Sequence, residues 1–252
     1  MGRRFIDLHV FSNLSHGTSS ISEIIKIASV LGFYAIGIAD FNRNNIDIIK
    51  DIRKLFEENG LDMVSRVDLH HTDIEHLKRD LRYFRGKVEI IAVFCENLQV
   101  ARFAARDRRV DILNFSFYDW KKNFFDVSEA KLALENNAAL EINVAELLRC
   151  STVGERIKML KIMSENVKLA LKYNLPVIFS SGAMNIFEMR EPRALASVAT
   201  LLGASEFDAL RFVSDIPFKL IMENREKLSG KYIYPGVKFL GRVNDKHEIK
   251  KE

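Results

Sequence analysis

Arg4-Phe5-Ile6-Asp7-Leu8-His9-Val10, then Ile21, Ile24, Ile25, Ala28 and Leu31, then Tyr34-Ala35-Ile36-Gly37-Ile38-Ala39: these residues decide the fold. The outer two runs are apolar and nearly continuous, which suits parallel strands covered on both faces better than a half-exposed antiparallel sheet. The five middle residues recur at helical spacing. Ser20 and Glu23 are placed to open that helix as a capping box, and Gly32 to close it. Strand, helix and parallel strand in that order make a right-handed crossover unit.

The same unit repeats along the chain. Strand-like runs follow at 63–67, 88–94, 111–115, 139–144 and 176–181, alternating with helical patterns at 46–56, 73–84, 98–106, 128–137 and 155–173. The last third reads as helices at 193–202, 206–214 and 218–228. Seven strand candidates over about 180 residues favour a (β/α) barrel over an open doubly wound sheet. No Gly-x-Gly-x-x-Gly follows the first strand, which weakens a dinucleotide-binding reading. No eighth strand stands out. The expected fold is therefore an α/β, TIM-like barrel, incomplete or distorted, with extra C-terminal helices. It forms one domain over 1–240, with a basic, frayed tail over 241–252 that carries Lys246, Lys250 and Lys251.

Composition narrows the setting. The chain has 252 residues, 48 % of them hydrophobic, with 4 Pro and 12 Gly, which is a core-forming rather than a low-complexity composition. No apolar run reaches the ~20 residues that cross a bilayer. Asp7 restores charge just after Arg3 and Arg4, so no export signal is expected and the reading is cytoplasmic. Two cysteines form no framework, and Cys95, after an apolar run, reads as a core thiol in a reducing compartment. A net charge of +4 permits nucleic-acid binding through a local patch without implying it.

In barrels of this kind chemistry is built at the carboxyl ends of the strands. The first strand ends Asp7-Leu8-His9-Val10-Phe11, followed by Ser12, Ser15 and His16; the second ends Asp40-Phe41; the seventh ends Ser180-Ser181-Gly182-Ala183-Met184. These endings resemble the polymerase-and-histidinol-phosphatase family of metal-dependent phosphoesterases. That family has His-x-His, Asp-His and Asp-Ala-His at the matching places. Here Phe11 and Phe41 replace two histidines, and Gly182 and Met184 stand where the aspartate and histidine would be. Phe, Gly and Met cannot ligate a hard divalent ion. His9, Asp40 and Asp68 remain as isolated candidates, and no metal is expected on this chain. Glu141 and Asn143 alternate with apolar neighbours on the sixth strand, so they face one side and need partners such as Asn114, Asp7 or Ser180. A structural network is the first reading and a vestigial strand-end site (Asp7, His9, Asp40, Asp68, Asn143, Ser180, Ser181) the second. His70-His71-x-Asp73 offers a metal-like spacing, but a solvated loop with Asp73 as a helix N-cap is the simpler account.

A narrower resemblance covers about 95 % of the chain. It runs through Asp7-Leu8-His9, Gly32-Phe33-x-x-Ile36-Gly37, Leu140-Glu141-Ile142-Asn143, Lys172-Tyr173-Asn174-Leu175-Pro176 and Ser180-Ser181-Gly182-Ala183. It continues with Arg190-Glu191-Pro192-Arg193 and Ser229-Gly230-Lys231-Tyr232-Ile233-x-Pro235-Gly236-Val237. In this order the stretches resemble the ribonuclease P protein component 3 family. The resemblance implies a TIM-like barrel that supports removal of the 5′ leader from precursor tRNA. Catalysis would belong to the RNA subunit and its magnesium, with no cofactor on this chain. The implied partners are the ribonuclease P RNA, precursor tRNA, protein component 2 as direct protein partner, and the other ribonuclease P proteins. A metal-dependent phosphoesterase using His9, Asp40, Asp68 and His70 or His71 is the alternative, and a protein-only scaffold a third reading.

Guanidinium groups stay charged and grip phosphate bidentately, so clustered arginines suit an RNA backbone. The clusters are Arg102, Arg106, Arg108 and Arg109; Lys121 and Lys122 beside Tyr118 and Trp120; Arg149, Arg156 and Lys158; Arg190 and Arg193; and Lys231. Solvated faces with local acidic partners are the competing account of each. Arg190 and Arg193 are preferred, having few acidic neighbours besides Glu188 and Glu191. Trp120 and Phe117 could stack on bases or sit in the core.

Overall fold

Every residue of β1 (Ile6–Val10) is buried, as a strand covered on both faces requires. In the computed structural model, which describes residues 2–117, 123–230, 232–234 and 237–238, β1 begins a seven-stranded all-parallel sheet. Its order follows the chain: β1, β2 (Ala35–Ile38), β3 (Asp62–His70), β4 (Ile90–Phe94), β5 (Ile112–Asn114), β6 (Ala139–Asn143) and β7 (Val177–Ser180). Helices α1 (Ile21–Val30), α2 (Ile49–Glu58), α3 (Ile74–Phe84), α4 (Leu98–Arg106), α5 (Val127–Glu135), the short α6 (Ala145–Leu148) and α7 (Val153–Lys172) pack in the crossovers. After β7 come α8 (Pro192–Leu201), α9 (Glu206–Phe212) and α10 (Asp215–Leu228), then a separate antiparallel pair, β8 (Tyr232–Tyr234) and β9 (Val237–Lys238). The expected capping box at Ser20 and Glu23 forms, and Thr152 with Glu155 makes a second one that starts the 20-residue α7.

The sheet closes at one end only. Val10 bridges Ala183 and the Phe11 N–H reaches the Ala183 carbonyl at 2.8 Å, whereas at the other end the Ile6 N–H turns to Val213 after α9. Seven strands close into a barrel only with help at the seam, and the C-terminal helices supply it. The inner apolar layer joins Ile6, Leu8, Val64, Ile90, Ala92, Ile112 and Ile178 to Ile221 of α10. That helix therefore plugs the bottom of the barrel. Arg225 grips Asp62 (2.6 Å) and Glu89, and Asn224 donates to Asp111 (2.8 Å), fastening the plug to the starts of three strands. Gly37 has no room for a side chain: a Cβ would stand 2.4 Å from the Leu8 carbonyl oxygen, so β2 can approach β1 here only as glycine.

Several element limits differ from the sequence expectation. β3 runs on to His70, so that histidine ends a strand instead of opening a loop, while Asp73 caps α3 by accepting from the His76 N–H at 2.9 Å. Helix α4 stops at Arg106 because Asp107 turns extended, so Arg108 and Arg109 lie beyond the helix that carries Arg102 and Arg106. Phe117 is buried, which makes it core, as are Cys95 and Cys150. Tyr118, Trp120, Lys121, Lys122, Lys231 and the tail over 241–252 lie outside the described residues.

Candidate functional site

Alternation along β3 turns Arg66 and Asp68 into the barrel, two residues apart on one face. The same rule turns Glu141 and Asn143 inward from β6, Asn114 from β5 and Ser180 from β7, beside His9 of β1. Arg66 is fully buried. Its guanidinium holds Glu141 bidentately, Nη1 to Oε1 at 2.6 Å and Nη2 to Oε2 at 2.7 Å, while Nε donates to Asp68 Oδ1 at 2.6 Å. Nη1 also donates to the Leu8 carbonyl at 3.2 Å. His9 lies across this pair, with Nε2 2.9 Å from Asp68 Oδ2 and Nδ1 3.2 Å from Glu141 Oε2 and 3.0 Å from Asn143 Oδ1. Asn114 Nδ2 and the Ser180 hydroxyl both donate to Glu141 as well.

Both ring nitrogens of His9 face acceptor oxygens, Nε2 through a charge contact with Asp68 that is not a well-aligned hydrogen bond, and this setting favours a proton on each. Burial and the nearby Arg66 oppose that charge, but Asp68 and Glu141 outweigh them and push His9 from 6.5 up to about 9. Burial would raise the carboxyl of Glu141; Arg66 and His9 override it and hold the group far below the usual range. Asp68 is lowered against its own burial by the same two cations. Two buried cations thus face two buried carboxylates, the condition under which burial of charge is tolerated.

The remaining strand-end residues do not all join this network. Asp40 accepts the Ser12 N–H at 2.9 Å and the hydroxyls of Ser12 and Ser15, and burial raises its carboxyl. Asp7 accepts the N–H groups of His9 (3.2 Å) and Ser181 (3.0 Å), with its second oxygen buried and without a hydrogen bond. It does not partner Glu141 as the sequence had suggested. The Ser181 hydroxyl faces the His9 carbonyl at 3.4 Å. Gly182, where the phosphoesterase pattern has aspartate, adopts φ +63, and a Cβ there would sit 3.2 Å from Asn143. His70 stacks on Phe94 and His71 contacts Asp80 at 3.0 Å, so neither converges with His9 on Asp68. Alternation along β6 put Glu141 and Asn143 on one inward side, where both meet His9, but sequence reading missed Arg66. The signal was present: a lone Arg in Met63-Val64-Ser65-Arg66-Val67-Asp68-Leu69, in phase with Asp68.

This arrangement does not fit a bound metal ion. The guanidinium stands between the two carboxylates that would have to ligate it, and among the described residues no three His, Cys, Asp or Glu side chains form a metal cluster. Among the described residues, His9, Arg66 and Glu141 are buried and, with Asp68, paired with one another.

Outside the mouth the basic candidates divide into two kinds. Arg102 pairs with Asp126 (2.6 Å) and Glu129, Arg109 with Asp107 (2.6 Å), and Arg149 with Glu188 and the Gly182 carbonyl (3.1 Å). Arg190 donates to the carbonyls of Phe187 (2.6 Å) and Met189 (2.9 Å), and Arg156 to that of Cys150 at 3.4 Å. Arg106, Arg108, Lys158 and Arg193 have no ion pair among the described residues, and all four are exposed. The two acids near Arg193 are engaged elsewhere: Glu188 by Arg149, and Glu191 by capping α8.

The profile of the RNase P subunit p30 family matches residues 4–229. Among curated relatives, ribonuclease P protein component 3 of Methanosarcina acetivorans is 30% identical over 243 residues, covering 95% of this chain and 98% of the relative. A chain from a cryo-EM structure of archaeal ribonuclease P with mature tRNA superposes with TM-score 0.79 at 22% identity, over 95% of this chain and 100% of that one. Histidinol phosphate phosphatase from Lactococcus lactis, solved with zinc, L-histidinol and phosphate, shares the barrel at TM-score 0.59 and 10% identity, over 79% of this chain and 92% of that one. The chain belongs to the RNase P subunit p30 family.

Proposed function

We infer that the chain is a protein subunit of ribonuclease P, the endoribonuclease that removes the 5′ leader from precursor tRNA. The observation that carries this is family membership over nearly the whole chain, residues 4–229. The self-satisfied mouth supports a non-catalytic role for the isolated chain: Arg66 and His9 neutralise the carboxylates that a phosphoesterase would spend on metal. Hydrolysis is then assigned to the RNA subunit and its magnesium, and this protein to holding RNA and partners in place. Protein component 2 is the direct protein partner in this reading. The RNA-facing cations are Arg106, Arg108, Lys158 and Arg193, with Arg190 beside them. No helix among the described residues is long and apolar enough to cross a membrane, and the proposed site of action is the cytoplasm.

The test is precursor-tRNA cleavage by a reconstituted RNA subunit with component 2, with and without this chain. Stimulation of cleavage only in the full assembly is expected. Cleavage by the isolated chain, or no effect on the assembly, would overturn the reading.

A further inference from the structure

We propose that the Arg66 guanidinium is a built-in replacement for a bound divalent cation, and that removing it uncovers a metal site at the barrel mouth. Three observations converge. Asp68 and Glu141, from strands β3 and β6, are drawn to one point in the barrel by a single internal cation, each within 2.7 Å of a guanidinium nitrogen. His9 brings an imidazole against the same two carboxylates, at 2.9 and 3.2 Å. Three buried atoms of the cluster also have no hydrogen bond: Asp68 Oδ2, His9 Nε2 and Asn114 Oδ1, the last on the side chain whose Nδ2 reaches Glu141.

Carboxylate and amide oxygens with an imidazole nitrogen are the donor set of a hard divalent ion. Such an ion would need the centre of the cluster, and Arg66 already holds it. A tethered cation costs no binding equilibrium, so the mouth keeps its geometry whether or not metal is present. Magnesium dependence of the assembled enzyme would then contain no contribution from the folding of this chain.

The experiment uses the full-length chain as wild type, Arg66→Ala, Arg66→Lys and the double variant Arg66→Ala/Glu141→Gln. Each is melted in EDTA and in Mn2+, and Mn2+ binding is titrated calorimetrically. Wild type and Arg66→Lys should melt alike in both buffers and bind no stoichiometric ion. Arg66→Ala should melt lower in EDTA, bind one equivalent of Mn2+, and gain roughly 5 °C or more at a hundredfold excess over Kd. The double variant should lose that gain. Where Arg66→Ala fails to fold in EDTA, it is refolded from denaturant with Mn2+ present, and recovery of native protein in Mn2+ alone is expected. Stoichiometric Mn2+ on wild type that disappears in His9→Gln overturns the proposal. So does a folded Arg66→Ala indifferent to Mn2+, or one that refolds in neither buffer.

Discussion

Glu141 is the residue on which the barrel mouth turns, since it receives Arg66, His9, Asn114 and Ser180 together. Glu141→Gln keeps the shape but removes the charge, leaving Arg66 buried with only Asp68 to balance it and taking from His9 one of the two carboxylates that hold its proton. Breaking one side of a buried pair costs about 3–5 kcal/mol, much more than losing a surface bridge. Urea unfolding should show a loss in that range, and a change below about 1 kcal/mol would mean the network is not the lock described here. His9 adds a pH signature. Its folded value of about 9 lies above the ordinary 6.5, so its stabilisation is complete below 6.5 and fades as pH rises through 9. Glu129 and Glu146, raised to about 7 chiefly by burial, add a second decline in a lower window: as pH rises from 4.5 to about 7 the unfolded chain ionises them while the fold still holds them protonated. The two windows are separable. His9→Gln should flatten the decline above pH 7 and leave the lower one in place; an unchanged alkaline slope would show that His9 is not the charged group.

At the scale of elements, strands and helices were readable because their periodicities are local: continuous apolar runs mark the buried strands, and Ser20 with Glu23 marks a helix start. The mouth was only partly readable. Asp7, His9 and Asp40 stand at strand ends where a reader looks, and Glu141 and Asn143 betray themselves by alternation. Arg66 lies mid-strand, and its partner is 75 residues away. No local pattern distinguishes a fully buried arginine from a surface one, because burial of Arg is decided by partners that sequence spacing does not bring together. The role of α10 was hidden for a similar reason. Its pattern shows a helix, while its place under the barrel depends on Arg225 and Asn224 finding Asp62, Glu89 and Asp111. Ile221 is the side chain this helix puts into the inner layer. Ile221→Ala should lower stability by about 2–5 kcal/mol, as truncations in closed cores do. The loss should appear in the denaturant midpoint. An exposed position on the same helix, Met222→Ala, should cost well under half as much, and equal losses would argue against the plug.

For the whole molecule, the relevant charge is not the net +4 but the part of it left uncommitted. Arg102, Arg109 and Arg149 already hold carboxylates, so a phosphate would have to displace an internal partner and recover little. Lys158 and Arg193 carry no such pair among the described residues, and their charge is available to release counterions from RNA. The two groups therefore separate in a salt titration of the assembly. Lys158→Ala and Arg193→Ala should each weaken RNA binding and make the plot of log affinity against log salt shallower. The expected change is ~0.9 for a lost duplex phosphate and ~0.7 for a single-stranded one. Arg109→Ala should leave that slope alone and instead loosen the turn between α4 and β5, where Arg109 bridges back to Asp107 at 2.6 Å. Slopes unchanged in Lys158→Ala and Arg193→Ala, with Arg109→Ala making the difference, would place the RNA surface on the paired cations. It would also mean that RNA competes successfully for them, so that the intramolecular bridges are a resting arrangement broken on assembly.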